Sequence, residues 1–453
     1  MNGGWKIALR NLARNKRRNL ATGIAIAAGF ASLLALGGFI YRVENYLRVY
    51  TIYASRIGHV TIYKKDGLDK YSVKPSQYSL TEADQTKIKQ VLAKIDNIEM
   101  SGPQLVGFGL VGNGCRTLPF IATGIDPKLD RRLREHPEIK RWADQIKPYT
   151  KGRGLWEYPP ELGAVALSDG LARILHKTHT HDELAKNAKP VVVVDCNAPN
   201  AKAEIGADAN VQLAAGSWTG MMSAIDGEIV ATYNTGVTET NNAAILTSID
   251  HLRKLYDTNN AAYWSVWLKD GTQLKSGVAE IRTKLRQAGL AVDVYPWNTD
   301  AMSPMYTGTM AFLYTLVSFI TIVLTVVIVF SVFNAATMTV IERSQEIGMM
   351  RSLGFKRREI RGFFFRESLL LAALSAAAGA VVAAVGITAV NTSGVMLHPP
   401  GVVNGIPLFI DPSAAMIFGA LILIIGLALL TTAIAIRGVL KLGIPQLLMG
   451  SQR

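Results

Sequence analysis

MAFLYTLVSFITIVLTVVIVFSVF, residues 310–333, runs for 24 positions without a Lys, Arg, Asp or Glu. The hydrocarbon core of a bilayer is about 30 Å thick and takes roughly 20 helical residues to cross, so this stretch is long enough to span it. Three more uncharged runs match it: Leu20 to Ile40, Ser368 to Val390 and Ala414 to Ile436. A large soluble enzyme buries single helices of this kind but not four, so the chain reads as a membrane protein. Its 49% hydrophobic content and mean hydropathy of +0.21 agree. The first run follows a basic segment, as a signal peptide would. It exceeds the apolar core of such a peptide and no small-residue cleavage site follows Ile40, so it is expected to remain as an anchor.

Basic residues beside a span stay on the cytosolic side. Residues 1–19 carry Lys6, Arg10, Arg14, Lys16, Arg17 and Arg18 and no acid. The segment from Glu342 to Glu367 carries Arg343, Arg351, Lys356, Arg357, Arg358, Arg361 and Arg366, and the tail adds Arg437, Lys441 and Arg453; the loop from Asn391 to Ser413 has none. Both termini (1–19 and 437–453) and the segment 334–367 are therefore expected in the cytosol, with 41–309 and 391–413 outside. The expected fold class is membrane α-helical, four transmembrane helices with a large α+β extracytoplasmic domain. Of the net charge of +14, only about +3 falls in that domain, which argues against a nucleic-acid surface. The cytosolic excess suits anionic membrane lipids.

Residues 1–19 pattern as an amphipathic helix, with Trp5, Leu9 and Leu12 on one side and Arg10, Arg14 and Arg17 largely elsewhere, suited to the inner-leaflet interface. Gly23, Ala27, Ala31 and Ala35 in span one, and Ser375, Gly379 and Ala383 in span three, recur every four residues. Such faces let helix backbones approach closely in lipid, although lipid-facing Ala gives the same pattern. The outer segment alternates strand and helix signals and is long enough for two lobes. Strands are expected at Arg56 to Tyr63, Met100 to Val111, Pro190 to Val194, Asn210 to Leu213, Glu228 to Tyr233, Ala262 to Leu268 and Ala291 to Tyr295. Helices are expected at Glu82 to Ile95, Ser248 to Tyr256 and Gln273 to Ala288, with a helical insertion over Asp126 to Lys147. Ser303-Pro304 reads as a helix start, Ser as cap and Pro in the first turn. Because it lies six residues before span two, that helix is expected to begin outside as a stalk.

No phosphate-cradling loop and no nucleophile elbow occurs, so the chain shows no engine and no catalytic residues of its own. His176, His179, His181 and Asp182 are dense enough to share Zn²⁺ or Cu²⁺ if Asp182 or Cys196 completed the shell. A solvated polar loop is the commoner outcome of such a string, and no metal or other cofactor is assigned. The two cysteines, Cys115 and Cys196, both fall in the outer domain, where they form a disulfide or remain two buried thiols.

The segment from Asn334 to Glu367 is the most informative. Helical spacing carries span two onward through Ile341, Ile347 and Met350; Gly354 suits a left-handed C-cap, with Phe355 reaching back to Met350. A second helix then starts near Lys356 and enters span three through Ile360, Phe363 and Phe364. Glu342 and Glu346 share a face, where like charges mildly oppose each other. A solvated elbow accounts for part of this pattern. Mixed acids, bases and exposed apolar residues also suit a docking surface.

The string IERSQEIGMMRSLGF (341–355), preceded by Asn334 and followed by Glu367, resembles the signature of the FtsX/MacB-type ABC permeases, which include the lipoprotein-releasing permeases. WKIALRNLARNKRR (5–18) is similar to that family's amino terminus, and GHVTIY (58–63) and GEIVATYNTG (227–236) look like its outer strands; His176 to Ile205 looks like an insertion. The resemblance implies a mechanotransmission (type VII) permease that pairs with a second copy or a homologue. It implies that a separate cytosolic ABC ATPase, holding the ATP and Mg, docks on the loop between spans two and three. The coupling role would fall to Glu342, Arg343, Glu346, Gly348, Met350, Arg351, Leu353 and Gly354, with motion carried outward by the stalk at Ser303 and Pro304. The MacB branch fuses an ATPase to its amino terminus, whereas here 19 residues precede span one. The expected function is extraction of lipoprotein or lipid-like cargo from a bacterial inner membrane, with a periplasmic carrier. Two alternatives are export of peptides or toxic amphiphiles through a periplasmic adaptor, and a signalling scaffold that activates a cell-wall hydrolase.

Overall fold

A computed structural model describes residues 3–14, 16–143, 147, 149–184, 194–397, 401–403 and 405–448. Among the described residues four helices are long and apolar enough to cross a membrane: Lys16–Val49, Pro304–Glu342, Arg357–Thr392 and Ala414–Lys441. Each contains one of the four uncharged runs. The chain divides into a helical unit built on these spans and a sheet unit running from Asn45 to Gly308, which also takes in the segment 398–406, with Gly401, Val402 and Val403 among its described residues. Backbone bonds from Thr238 N–H to Gly401 O (2.9 Å) and from Val403 N–H to Gly236 O (3.1 Å) tie those three loop residues to the sheet unit.

The helical unit packs Ile26, Phe30 and Leu34 of span one against Ile328 and Val332, Ala372 and Ala376, and Ile424 and Ala428 of the other three. Its small residues set the distances. A Cβ placed on Gly379 would lie 2.5 Å from the Ala27 carbonyl oxygen, and one on Gly23 would lie 3.0 Å from Ser375 Oγ. The four-residue stripes are therefore a seam between spans one and three, because only a missing side chain permits that approach in lipid. The amphipathic helix is shorter than expected, Gly3–Arg14, and Lys16 to Asn19 belong to the span-one helix instead. Asn19 folds back so that its Nδ2 donates to Leu12 O at 3.0 Å.

The sheet unit holds β1 (Val60–Lys64), β2 (Ile98–Gly112), β3 (Thr117–Ile125), β4 (Lys151–Gly152), β5 (Ala164–Ser168), β6 (Asn210–Gly216), β7 (Met222–Tyr233), β8 (Ala244–Ser248), β9 (Tyr263–Leu268) and β10 (Val292–Pro296). They form one sheet in the order β10-β1-β9-β2-β3-β8-β5-β7-β4, with β6 paired to β2 and β7. Two apolar cores form on it. Val60, Ile62, Trp264, Val266 and Val294 of β1, β9 and β10 pack on the helices Glu82–Leu92 and Leu274–Gln287. Leu105, Phe120, Leu167, Leu213, Ile229 and Ile245 pack on the helix Ile249–Tyr256.

Several local expectations need correcting. The expected strand Arg56 to Tyr63 begins only at Val60, because Arg56 and Gly58 adopt left-handed φ of 62° and 80° and turn the chain first. The insertion over Asp126 to Lys147 contains two short helices, Pro127–Arg134 and Pro137–Trp142, each with Pro in its first turn and a side-chain cap from Asp126 or His136. Of the expected strand Pro190 to Val194, residues 190–193 lie outside the described residues, as does Ile146 of the insertion. Strands β3, β4, β5 and β8 fall outside the expected strands. The pairs β3–β8 and β5–β7 are parallel. β5 and β8 are buried on both faces and lack the alternation that marks a half-exposed strand, whereas β3 keeps it, with Ile121 exposed between buried Phe120 and Ala122.

Candidate coupling site

The elbow between spans two and three is built from the end of one long helix, a short helix and the start of another. The span-two helix closes at Glu342 and a separate helix, Ser344–Ser352, follows. The expected unbroken helix through Ile347 and Met350 is thus interrupted at Arg343, whose φ of −102° and ψ of 14° depart from helical values. The interruption coincides with an inward-turned side chain. Arg343 is buried, and its Nη1 donates to Glu367 Oε2 at 3.0 Å. The short helix ends in a Schellman arrangement. Gly354 stands at φ of +91°, with its N–H bonded to Arg351 O (3.1 Å) and Phe355 N–H bonded to Met350 O (3.0 Å). The next helix, Arg357–Thr392, opens with Glu359 Oε2 accepting from Lys356 N–H at 2.8 Å.

The structure sorts the eight sequence-derived coupling residues into supports and contact surface. Arg343 and Gly348 are buried, beside an apolar core of Val340, Ile347, Ile360, Phe364, Ile436, Leu440 and Leu447. Met350 packs against that core, and Arg351 Nη1 donates to Leu442 O at 2.6 Å. Glu342 accepts from Arg18 Nη1 at 2.8 Å, while Arg18 Nη2 reaches Thr339 Oγ1 at 2.8 Å. Glu346 lies 3.6 Å from Arg14 and 3.7 Å from Arg343. What faces outward is the apex, where Leu353 is 77% exposed and Gly354 exposed beside it. Met349 and Phe355, which spacing had not singled out for contact, are also exposed there. Arg14, Arg18 and the carboxy-terminal residues Leu442 and Leu447 also belong to the site. No local pattern marks them, since Arg18 and its partner Glu342 are 324 residues apart.

Pro304 opens the span-two helix as expected, and its 39 residues correspond to about 58 Å of continuous helix. Ser303 does not act as a side-chain cap. Its Oγ is buried without a hydrogen-bond partner, and its carbonyl accepts from Thr307 N–H at 3.0 Å. The histidine-rich string does not assemble a metal site. Cys196 is joined to Cys115 in a disulfide. His181 Nδ1 pairs with Glu228 at 2.9 Å, and His179 lies 3.5 Å from Glu183. Asp182 takes Arg153 at 2.6 and 2.9 Å and the Tyr158 hydroxyl at 2.7 Å; the Arg153 hydrogen bonds hold its carboxyl down to about 2. Among the described residues no three such donors converge.

By fold and site this is a four-span membrane protein with a large α/β unit and a braced elbow carrying an apolar apex. The FtsX-like permease C-terminal family matches residues 317–444, from within span two through the whole elbow and spans three and four. A curated relative, the macrolide export ATP-binding/permease protein MacB of Bordetella avium (strain 197N), is 30% identical over 115 residues, 25% of this chain. The chain thus spans only 18% of that relative's length. Two solved structures each match 52% of this chain. The extracellular domain of the noncanonic ABC-type transporter YknZ from Gram-positive bacteria matches at 14% identity, TM-score 0.29, over 98% of its length. The periplasmic region of MacB from Actinobacillus actinomycetemcomitans matches at 9% identity, TM-score 0.32, over 87% of its length. Overlaps this loose carry no argument.

Proposed function

We propose that this chain is the permease subunit of an ABC transporter, driven by a separate cytosolic ATPase that binds the elbow. The observation that carries this reading is the division of labour at the elbow. Arg343, Glu367, Arg18 and Glu342 fix its geometry from within, while Leu353, Met349 and Phe355 present unsatisfied apolar surface at the apex. An exposed apolar cluster rimmed by charge marks a protein contact. In this reading the protein lies in a bacterial inner membrane with both termini cytosolic. The spans act as levers between the ATPase and the sheet unit, and two permease copies or homologues pair.

For cargo we favour lipoprotein or another lipid-like molecule drawn from the membrane, handed to a periplasmic carrier. Copurification tests the shared premise: tagged chain from native membranes should bring an ABC ATPase with it. Leu353→Asp should abolish that association while leaving the spans folded, and unchanged association in that variant would remove the apex from the interface. Glu346→Lys, which sets a cation beside Arg14 and Arg343, should uncouple transport from ATP hydrolysis without loss of folded protein.

A further inference from the structure

The sheet unit contains a cavity of about 380 Å³ that the elbow reading does not use. Three cationic side chains line it, Arg56, Arg134 and Lys147; among the described residues no Asp or Glu does. Arg56 and Arg134 are held from behind by the buried carboxylate of Asp130, at 2.7 and 2.8 Å. That pair of guanidiniums keeps Asp130 ionised despite its burial.

A second, independent feature points into the same space. Ser303 is only 5% exposed, lines the cavity, and its hydroxyl has no hydrogen-bond partner. A buried hydroxyl left unpaired is costly, and natural structures retain one where a ligand or water takes the bond. Ser303 also immediately precedes the 39-residue helix Pro304–Glu342, whose first turn lines the cavity with Met305 and Tyr306. The start of a long helix favours negative charge.

The remaining wall is apolar, with Leu47, Ile121 and Met302 among it.

From these features we propose that the cavity binds the phosphate headgroup of an anionic phospholipid-like amphiphile. Arg56, Arg134 and Lys147 supply charge, Ser303 Oγ donates to a phosphate oxygen, and the upper acyl carbons lie against Leu47 and Ile121. As a statement about cargo this rests on the lipid-cargo reading above, but binding is measured without an ATPase, so either can fail alone. The experiment uses the full chain in detergent and compares dioctanoyl phosphatidylglycerol, dioctanoyl phosphatidylcholine and inorganic phosphate by isothermal titration calorimetry. Phosphatidylglycerol should bind saturably at one site per chain, at least about tenfold tighter than the other two. Ser303→Ala should weaken it about fivefold without lowering thermal stability, since the hydroxyl has no partner to lose. The exposed Lys147→Glu should weaken it about tenfold or more. Absence of saturable binding, phosphatidylcholine binding as tightly as phosphatidylglycerol, or unchanged phosphatidylglycerol binding in both variants overturns the site. Inorganic phosphate binding as tightly as phosphatidylglycerol would identify a free-phosphate site and overturn the lipid assignment.

Discussion

The losses from breaking the Arg343–Glu367 pair one partner at a time should sum to more than the loss from breaking both together. The two side chains are 9% and 14% exposed and 3.0 Å apart. At an effective dielectric constant near 20 their attraction is about 5 kcal/mol, most of it offset by the desolvation of both groups. Removing one partner leaves the other desolvated and alone, so Arg343→Met should lose about 3 kcal/mol and Glu367→Gln about 2 kcal/mol. The double variant should lose about 3 kcal/mol rather than 5, a coupling of about 2 kcal/mol. Equilibrium unfolding of the full chain in mixed dodecylmaltoside–SDS micelles, followed by circular dichroism, measures all four corners of this cycle. The same variants should be assayed for retention of the ATPase. Because the pair sets the bend at Arg343, each single variant should lose partner even where folding is largely kept. Additive losses, with a coupling within about 0.5 kcal/mol of zero, would refute the argument that a buried pair holds the elbow.

Gly354→Ala should destabilise the elbow by about 1 kcal/mol through its φ of +91° alone, since a Cβ there meets nothing within 4 Å; Gly354→Asn should be milder in the same unfolding assay. Gly379→Val should cost about 1–3 kcal/mol or separate spans one and three, because its Cβ would press on Ala27, and crosslinking between paired cysteines on those spans reads the separation. Asp130 sits at about 2 in the folded chain, where burial alone would raise it but Arg134 and Arg56 draw it down, against about 3.9 unfolded. Its depressed value stabilises the fold above pH 4. That contribution, about 2.5 kcal/mol, is lost as pH falls from about 4 to 2, and Asp130→Asn should flatten the stability profile over that window. Cys115→Ser opens a bridge between residues 81 apart and should lower the stability of the sheet unit by up to about 4 kcal/mol, read from thermal melts with and without reductant.

The local chemistry of the chain announced a good deal. Uncharged runs of 21 to 24 residues can satisfy their backbone only as helices in lipid, so the four spans follow from composition. Gly354 followed by Phe355 predicted the Schellman turn because few other residues tolerate a positive φ, and the small-residue stripes marked where spans one and three meet. Strand β6 was legible from its alternating burial and β9 from its aromatic and β-branched run, Tyr263–Leu268. The short strands β5 and β8, antiparallel to each other and parallel to β7 and β3, were not, since burial on both faces removes the periodicity that betrays a strand.

The elbow divides in the same way. Its sequence marked the segment and nominated Glu342, Arg343 and Glu346, but charge spacing cannot say which partner a charge will find. Folding chose Glu367 for Arg343 and Arg18 for Glu342. It also closed Arg351 onto the tail and left Leu353 and Phe355 uncovered. Span number and turn chemistry are local, fixed by hydropathy and by φ one residue at a time. Which side chains become braces and which become surface depends on contacts between residues hundreds of positions apart, and only the packed helices decide them.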